Sequence, residues 1–154
     1  MKAFLLALVL GLAPAAACAG DITVLSASDV KALTAPPARG ERVIALWALD
    51  CAYCEENLSA LAKLAHDHAD MELVSVATDS ISQRELIRAR LANAGLSTLT
   101  ARAYADATPE RINFLIDPGW GGETPRTLVI RADGSRMGIS GLLNAAALSR
   151  IATP

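Results

Sequence analysis

The sequence has few residues able to bind a metal and no block of positive charge. Its 154 residues include three cysteines and two histidines, and Lys and Arg together number 14 against 16 for Asp and Glu. Because nucleic-acid binding usually needs clustered basic residues, this mild acidity argues against nucleic acid as a partner. A glycine-rich nucleotide motif, an internal repeat and a long linker are also missing. We therefore predict no cofactor and one domain with its own core.

The N-terminus has the pattern of a secretory signal peptide. Lys2 precedes the apolar run of residues 3–13, and the small residues 17–19 fit a signal-peptidase site. The apolar run is shorter than the roughly 20 residues that a membrane-spanning helix needs. We predict a signal peptide over residues 1–19, a mature domain over residues 20–154 and a periplasmic location.

A second interpretation of the same segment places a lipid on Cys18. Residues 15–18 would then be a lipobox, although the leucine expected three residues before the cysteine is missing, and the protein would be tethered to the membrane. Cleavage after Ala19 instead removes Cys18 and leaves Cys51 and Cys54 as the cysteines of the mature chain. In either case the domain is expected outside the cytosol, where disulfides persist.

Hydrophobic periodicity predicts alternating strands and helices. Residues 42–47 form a continuous apolar run, which is typical of a strand buried on both faces, and residues 58–65 have the three- and four-residue spacing of a helix. The other predicted elements are strands at residues 22–25, 71–77, 98–104, 127–131 and 136–140, and helices at residues 28–33 and 82–95, from residue 108 onward and at residues 141–151. Parallel strands come first and a hairpin last, so the predicted class is α/β, with a mixed central sheet flanked by helices.

Local capping signals predict where helices begin and end. Hydroxyl-bearing residues, a capping-box pair and a proline at a first helical position mark three of the predicted helix starts. These residues are Ser28, Ser82 with Glu85, and Thr108 with Pro109. Gly95 is expected to end the helix that begins near residue 82, and Gly141 is expected to begin the last helix.

The segment Cys51-Ala-Tyr-Cys54 lies between the strand at residues 42–47 and the helix that follows it. Unpaired N–H groups at a helix N-terminus stabilise a thiolate, so a cysteine at such a junction is a nucleophile. The first cysteine of such a turn is usually exposed and the second shielded. We predict that Cys51 is the attacking thiolate and that Cys54 is the resolving thiol, which releases a mixed disulfide formed on Cys51.

The cysteine pair has two other interpretations, a metal site and a structural disulfide. A metal site would need further ligands, but His66 and His68 point about 200° apart on a helix, and the methionines Met71 and Met137 are isolated. We therefore predict no metal site. A structural disulfide across so short a loop would add little stability, because the entropic gain grows with loop length. The pattern favours redox chemistry.

The motifs together resemble the thioredoxin superfamily, and most of all the envelope-located TlpA-like thiol–disulfide reductases. The motifs are Trp47 with the dithiol, Thr124-Pro125 before an apolar strand, the Asp133-Gly134 hairpin and the insertion before Pro125. The resemblance covers nearly all of residues 21–152 and implies a thioredoxin-like fold with a helical insertion before a cis-Pro loop. It also implies that Pro125 is cis and faces the dithiol, with Thr124 offering backbone groups to an extended substrate segment.

The resemblance further implies which residues contact a substrate, which proteins are substrates and which kind of protein donates electrons. Thr124, Pro125, Trp47 and Tyr53 are expected to bind the substrate. Substrates are expected to be protein thiols or disulfides, reduced as in cytochrome c maturation or thiol maintenance, with electrons from a membrane thiol donor. Two alternatives stay open: a disulfide oxidase, and a non-enzymatic binding module whose disulfide is structural or regulatory.

Asp50 and Asn57 depart from the pattern of the family. Many relatives carry an aromatic residue where Asp50 stands, and TlpA-like reductases often carry Glu where Asn57 stands. A buried carboxylate would help to move the proton of the resolving thiol, and Glu56 and Asp50 are the candidates to replace it through water. A carboxylate next to Cys51 also disfavours its thiolate by charge repulsion.

Two residues near the expected cis-Pro loop allow two interpretations each. Pro125 is cis if the resemblance holds, and otherwise it merely begins an edge strand. Trp120, in the glycine-containing segment of residues 116–123, either forms a wall beside the dithiol or folds back onto the core.

Overall fold

The computed structural model describes residues 20–105 and 109–153. The predicted signal peptide, the candidate lipid site Cys18 and the predicted cap Thr108 lie outside the described residues. The helices and strands, in chain order, are β1 (Ile22–Leu25), α1 (Val30–Leu33), β2 (Glu41–Trp47), α2 (Cys54–Asp67), β3 (Met71–Ser80), α3 (Arg84–Asn93), β4 (Thr100–Tyr104), α4 (Pro109–Ile116), β5 (Arg126–Arg131), β6 (Arg136–Ser140) and α5 (Ala145–Ala152). Within these two ranges, no helix has the length and apolar character needed to cross a membrane.

The strands form one sheet in the order β1-β4-β3-β2-β5-β6. The first four strands in this order are parallel, and β5 and β6 are antiparallel to their neighbours. β2 pairs with both β3 and β5 along most of its length, and its side chains are buried on both faces, as its apolar run predicted. This mixed sheet with flanking helices confirms the predicted α/β class.

Two hydrophobic clusters cover the two faces of the sheet. One cluster joins α2, α3 and α5 to Val43, Ala45 and Trp47 of β2. The other joins α1 and α4 to Ile44 and Leu46, because successive side chains of a strand point to opposite faces. α2 and α3 share a face since both are right-handed connections that advance in the same direction across the sheet. α4 makes the return from β4 to β5 on the opposite face.

The predicted cap of α1 is wrong. Asp29, not Ser28, occupies the N-cap position, and its side chain makes no capping bond to the helix. Its carboxylate instead accepts hydrogen bonds from the hydroxyl of Ser26, at 2.5 Å, and from the backbone N–H of Ser26, at 2.9 Å. These two hydrogen bonds hold the pKa of Asp29 below its ordinary value, and the bond from the hydroxyl contributes more than the bond from the N–H. The Asp29 carboxylate thus stabilises the turn before α1, and no side chain caps the N-terminus of this helix.

A single 3₁₀ turn, Ile81–Gln83, replaces the predicted capping box before α3. The hydroxyl of Ser80 accepts a hydrogen bond from the N–H of Ser82 at 3.0 Å, so the turn is capped two residues earlier than predicted. Glu85 lies in the first turn of α3 and forms an ion pair with Arg88 at 2.6 Å.

Candidate active site

Cys51 and Cys54 form a disulfide at the junction of β2 and α2, and their Cα atoms are 5.5 Å apart. β2 ends at Trp47 and α2 begins at Cys54, so the pair lies at the N-terminus of the helix, as predicted. Cys51 is 8% exposed and Cys54 is 1% exposed. The residue predicted to attack is therefore the less buried of the two cysteines, and the roles of the two thiols stay a prediction.

Side chains from the end of β3 hold the turn that leads to Cys51. The carboxylate of Asp79 accepts a hydrogen bond from the N–H of Leu49 at 2.8 Å. The hydroxyl of Thr78 donates to the carbonyl of Trp47 at 3.3 Å. The loop before the disulfide is thus attached at two points to the neighbouring strand.

The sequence pattern predicted neither Thr78 nor Asp79, because it ended the third strand at residue 77. β3 instead continues to Ser80, with a register shift against β4 after Ala77. The signal that could have revealed them is their position. Parallel neighbours end at the same edge of a sheet, so polar residues at the end of β3 lie beside the end of β2.

Trp47 and Tyr53, both predicted to bind substrate, differ greatly in exposure. The indole of Trp47 is buried, at 2% exposed, and its Nε1 donates to the hydroxyl of Ser75 at 2.9 Å. Tyr53 is 62% exposed and immediately precedes Cys54. Trp47 therefore supports the disulfide from the core, and Tyr53 is the one of the two that presents an aromatic surface.

The carboxylates near the disulfide point away from the core. Asp50, Glu55 and Glu56 are all exposed. Glu55 lies 3.4 Å from the guanidinium Nε of Arg90 on α3. Glu55 and Glu56 occupy the first turn of α2, where negative charge interacts favourably with the helix dipole.

Asn57 is buried one turn into α2, at 3% exposed. Its amide Nδ2 donates to the carbonyl of Gly141 at 2.9 Å, and its Oδ1 accepts from the N–H of Leu143 at 2.9 Å. Leu143 packs in the same hydrophobic cluster as both cysteines. Helix α5 consequently begins at Ala145, capped by the side chain of Asn144, and the prediction that it begins at Gly141 is wrong.

The Thr124-Pro125 peptide bond is cis, which confirms the expectation drawn from the resemblance. The carbonyl of Pro125 accepts a hydrogen bond from the N–H of Gly141 at 2.9 Å. β5, which follows directly, lies between β2 and β6. The alternative, in which Pro125 begins an edge strand, is therefore wrong.

Arg126, the residue after the cis proline, is held by polar groups from two elements. Its guanidinium donates to the carboxylate of Asp117 at 2.6 Å and to the hydroxyl of Ser140 at 2.7 Å. Ser140 in turn donates to Glu123 at 2.6 Å, and this hydrogen bond is the main reason that the pKa of Glu123 lies below its ordinary value. The network was not predicted, because its members come from separate segments of the chain.

Trp120 folds back onto the core. It is 5% exposed and packs in the cluster that covers the α1 and α4 face of the sheet. Its Nε1 donates to the carbonyl of Glu123 at 2.7 Å. Of its two interpretations, the wall beside the dithiol is therefore wrong, and Trp120 instead fixes the loop that leads to Thr124.

Loss of the charge on Asp117 is expected to lower the free energy of unfolding by about 1.5–3 kcal/mol, because the charge-assisted bond to Arg126 is mostly shielded from water. The two side chains are 17% and 14% exposed. Urea denaturation of Asp117→Asn would measure the loss. The matched control is Glu85→Gln, in which Glu85 is 81% exposed and is expected to contribute less than about 0.5 kcal/mol. Equal losses in the two variants would contradict this prediction.

Among the described residues, no group of three or more His, Cys, Asp or Glu side chains is arranged to hold a metal ion. A cavity of about 490 Å³ lies at the opposite end of β2 from the disulfide and is lined in part by Glu41, Asp67 and Met71. Neither Cys51 nor Cys54 lines this cavity.

Three solved structures of bacterial proteins are similar to this chain. A secreted disulfide oxidoreductase of Mycobacterium tuberculosis, described as homologous to E. coli DsbE, is 17% identical, with a TM-score of 0.55 over 75% of this chain and 80% of that one. A thiol:disulfide interchange protein of Chlorobium tepidum is 21% identical, with a TM-score of 0.57 over 79% and 81%. StoA of Bacillus subtilis is 15% identical, with a TM-score of 0.54 over 77% and 86%.

No protein-family model and no curated protein matches the sequence. At these identities the solved structures establish the fold alone. The chain has a thioredoxin-like fold, as the motifs implied, with a Cys51–Cys54 disulfide at the N-terminus of α2 and a cis proline before β5.

Proposed function

We propose that the protein is a thiol–disulfide oxidoreductase that exchanges disulfides with protein partners through Cys51 and Cys54. One observation carries the proposal: a disulfide at a helix N-terminus, on this fold, whose first cysteine is the less buried of the two. The exposed ring of Tyr53 beside it offers a partner an apolar contact.

The reaction begins from the reduced pair. The Cys51 thiolate attacks one sulfur of a partner's disulfide, and the other partner sulfur leaves as a thiolate that takes up a proton. The Cys54 thiol then loses its proton and attacks the sulfur of Cys51, which releases the second partner sulfur. Two electrons pass to the partner, and the Cys51–Cys54 disulfide forms. The unpaired N–H groups of the first turn of α2 stabilise negative charge on Cys51.

The partner is proposed to lie along the backbone of Thr124-Pro125. An extended segment placed there can form main-chain hydrogen bonds, as a strand does when it is added to a sheet edge. Arg126 and Trp120 hold this loop from its two sides, so the backbone is in place before the partner arrives. Preorganisation of this kind lowers the entropic cost of binding.

We propose reduction of the partner as the physiological direction, with a membrane thiol protein as electron donor. The resemblance to TlpA-like reductases supports this direction, and a disulfide oxidase is the alternative. A redox titration of the dithiol against glutathione or dithiothreitol distinguishes them. A potential near about −270 mV is expected for a reductase, whereas one near about −120 mV would identify an oxidant.

The proposed location is the periplasm, with residues 1–19 removed as a signal peptide. The sequence pattern supports this proposal, and one structural relative is described as secreted. Intact-mass measurement on protein from an envelope fraction provides the test. A chain beginning at Gly20 is expected, whereas a chain beginning at a lipid-modified Cys18 would support the lipid anchor instead.

A non-enzymatic binding module is the second candidate, and Asn57 favours it. This buried amide is hydrogen-bonded to two backbone groups and does not ionise, so it offers no proton-transfer group one turn from Cys54. Insulin reduction with dithiothreitol as electron source distinguishes the two functions. Turnover above the rate with dithiothreitol alone supports the oxidoreductase, and binding of a partner without any turnover supports the module.

A further inference from the structure

The side chain of Asn57 connects the dithiol helix to the segment of residues 141–143. It forms one hydrogen bond as a donor and one as an acceptor, both at 2.9 Å and both to backbone atoms. The donor and the acceptor of the amide are thus both used at a position that is 3% exposed. These two bonds join residues 84 and 86 positions apart in the chain.

The same segment also holds the cis-Pro loop. The N–H of Gly141 donates to the carbonyl of Pro125 at 2.9 Å. Gly141 therefore bonds to Asn57 through its carbonyl and to Pro125 through its N–H. Two hydrogen bonds, from Asn57 to Gly141 and from Gly141 to Pro125, form a continuous connection from α2, which begins at Cys54, to the proline before β5. The third, from Leu143 to Asn57, holds the same segment against α2.

We propose that Asn57 is a positioning residue that sets the placement of the Thr124-Pro125 backbone relative to the Cys51–Cys54 pair. The inference rests on the proposed function, because it assigns Asn57 a part in how a peptide substrate is presented to Cys51. Asn57 does not touch the reacting sulfurs in this role. It acts through Gly141 and Pro125.

Only a neutral group with both a donor and an acceptor fits this position. An ionised carboxylate could accept from Leu143, but its second oxygen would face the carbonyl oxygen of Gly141 without a proton between them. A hydrocarbon side chain would leave both backbone groups buried without partners. A protonated carboxylic acid has one donor and one acceptor, as the amide has.

Asn57→Asp therefore makes the connection dependent on pH. The titratable groups nearest along α2 are Glu55 and Glu56, both exposed, and Asp50 and Glu123 lie in the two loops that flank the site. Residues 141–148 carry no ionisable side chain. Division of the variant's rate by that of the unmodified protein at each pH removes the contributions of these groups and of the dithiol itself.

The test compares two substrates of the reduced protein. One is a peptide of about ten residues with an internal disulfide, which must lie along Pro125, and the other is hydroxyethyl disulfide, which needs no backbone contact. At pH 8, Asn57→Asp is expected to lower kcat/KM for the peptide about tenfold, mainly through KM, and to change the rate with hydroxyethyl disulfide less than about twofold. The loss with the peptide is expected to diminish as the pH is lowered and the new carboxylate is protonated.

Asn144→Ala is the matched control, because it removes the cap of α5 in the same segment without touching Asn57. It is expected to leave both rates unchanged. Equal losses with both substrates in Asn57→Asp, no loss with either, or a loss with the peptide that does not change with pH would overturn the proposal.

A measurement on the unmodified protein covers the case in which the variant does not fold. The amide of Leu143 is expected to exchange with solvent more slowly than that of Leu142, because Leu143 donates to buried Asn57. Equally fast exchange at both positions would overturn the connection. If the unmodified protein reduces neither substrate, the proposed function fails. Slow exchange at Leu143 in that case would show that the hydrogen bond to Asn57 is present all the same, so the two failures can be told apart.

Discussion

Replacement of Cys54 by serine is expected to leave the protein covalently attached to its substrate. Cys51 would still attack a partner's disulfide, but no second thiol would be present to break the bond formed. Incubation of Cys54→Ser with disulfide-containing envelope proteins is expected to give high-molecular-weight species on a non-reducing gel. These species should disappear with dithiothreitol, and the unmodified protein should form almost none.

Cys51→Ser is the matched control, because the cysteine of the pair that it leaves is Cys54, which is 1% exposed. It is expected to form no adduct and to reduce insulin no faster than dithiothreitol does alone. Both variants are expected to fold, since a disulfide across so short a loop adds little stability. Adducts formed equally by both variants, or by neither, would contradict the assignment of Cys51 as the attacking thiolate.

Gly40→Ala is expected to destabilise the fold by about 3 kcal/mol or more. Gly40 has a φ of 61°, where a side chain costs about 1–2 kcal/mol. A Cβ at this position would also overlap the carbonyl oxygen of Asp70. That carbonyl accepts the hydrogen bond from Glu41 at the start of β2, so it cannot move away without loss of the bond. Urea denaturation would measure the destabilisation, and the midpoint is expected to fall with the slope unchanged.

Gly95→Ala separates the two causes of that loss. Gly95 has a φ of 72°, but a Cβ there would meet nothing within 4 Å. It is therefore expected to cost only about 1–2 kcal/mol, from the backbone conformation alone. If Gly40→Ala lowered the free energy of unfolding no more than Gly95→Ala, the overlap with Asp70 would not contribute to the destabilisation.

The parts of the fold that were predicted correctly depend on short stretches of chain. The apolar run that became β2 and the Asp133-Gly134 hairpin each reflect a periodicity or turn preference within fewer than ten residues. The helix caps were predicted less well. Ser28 and Ser82 each had the required side chain, but Asp29 occupies the N-cap position of α1, and Ser80 caps the 3₁₀ turn before α3. Which residue takes the cap position depends on distances that a local pattern does not contain.

The residues of the candidate site also fall into those that local motifs predicted and those that they did not. Cys51, Cys54 and the cis bond before Pro125 were expected from motifs and from the resemblance that those motifs carry. Asp79 was missed because β3 continues to Ser80, with a register shift after Ala77, beyond the apolar run that defined it. The burial of Trp120 was undecided because a tryptophan beside glycines fits a surface or a core equally well.

The sequence by itself determined that a cysteine pair stands between a buried strand and a helix, because both elements adjoin the pair in the chain. Only the tertiary structure decided what surrounds that pair. Asn57 had stood out as an absent carboxylate, and it proves to be a bridge to Gly141 and Leu143, more than 80 residues away. The physical reason is that a hydrogen bond depends on distance in space, and a buried amide accepts whichever backbone groups the packing of α2 against the start of α5 brings to it.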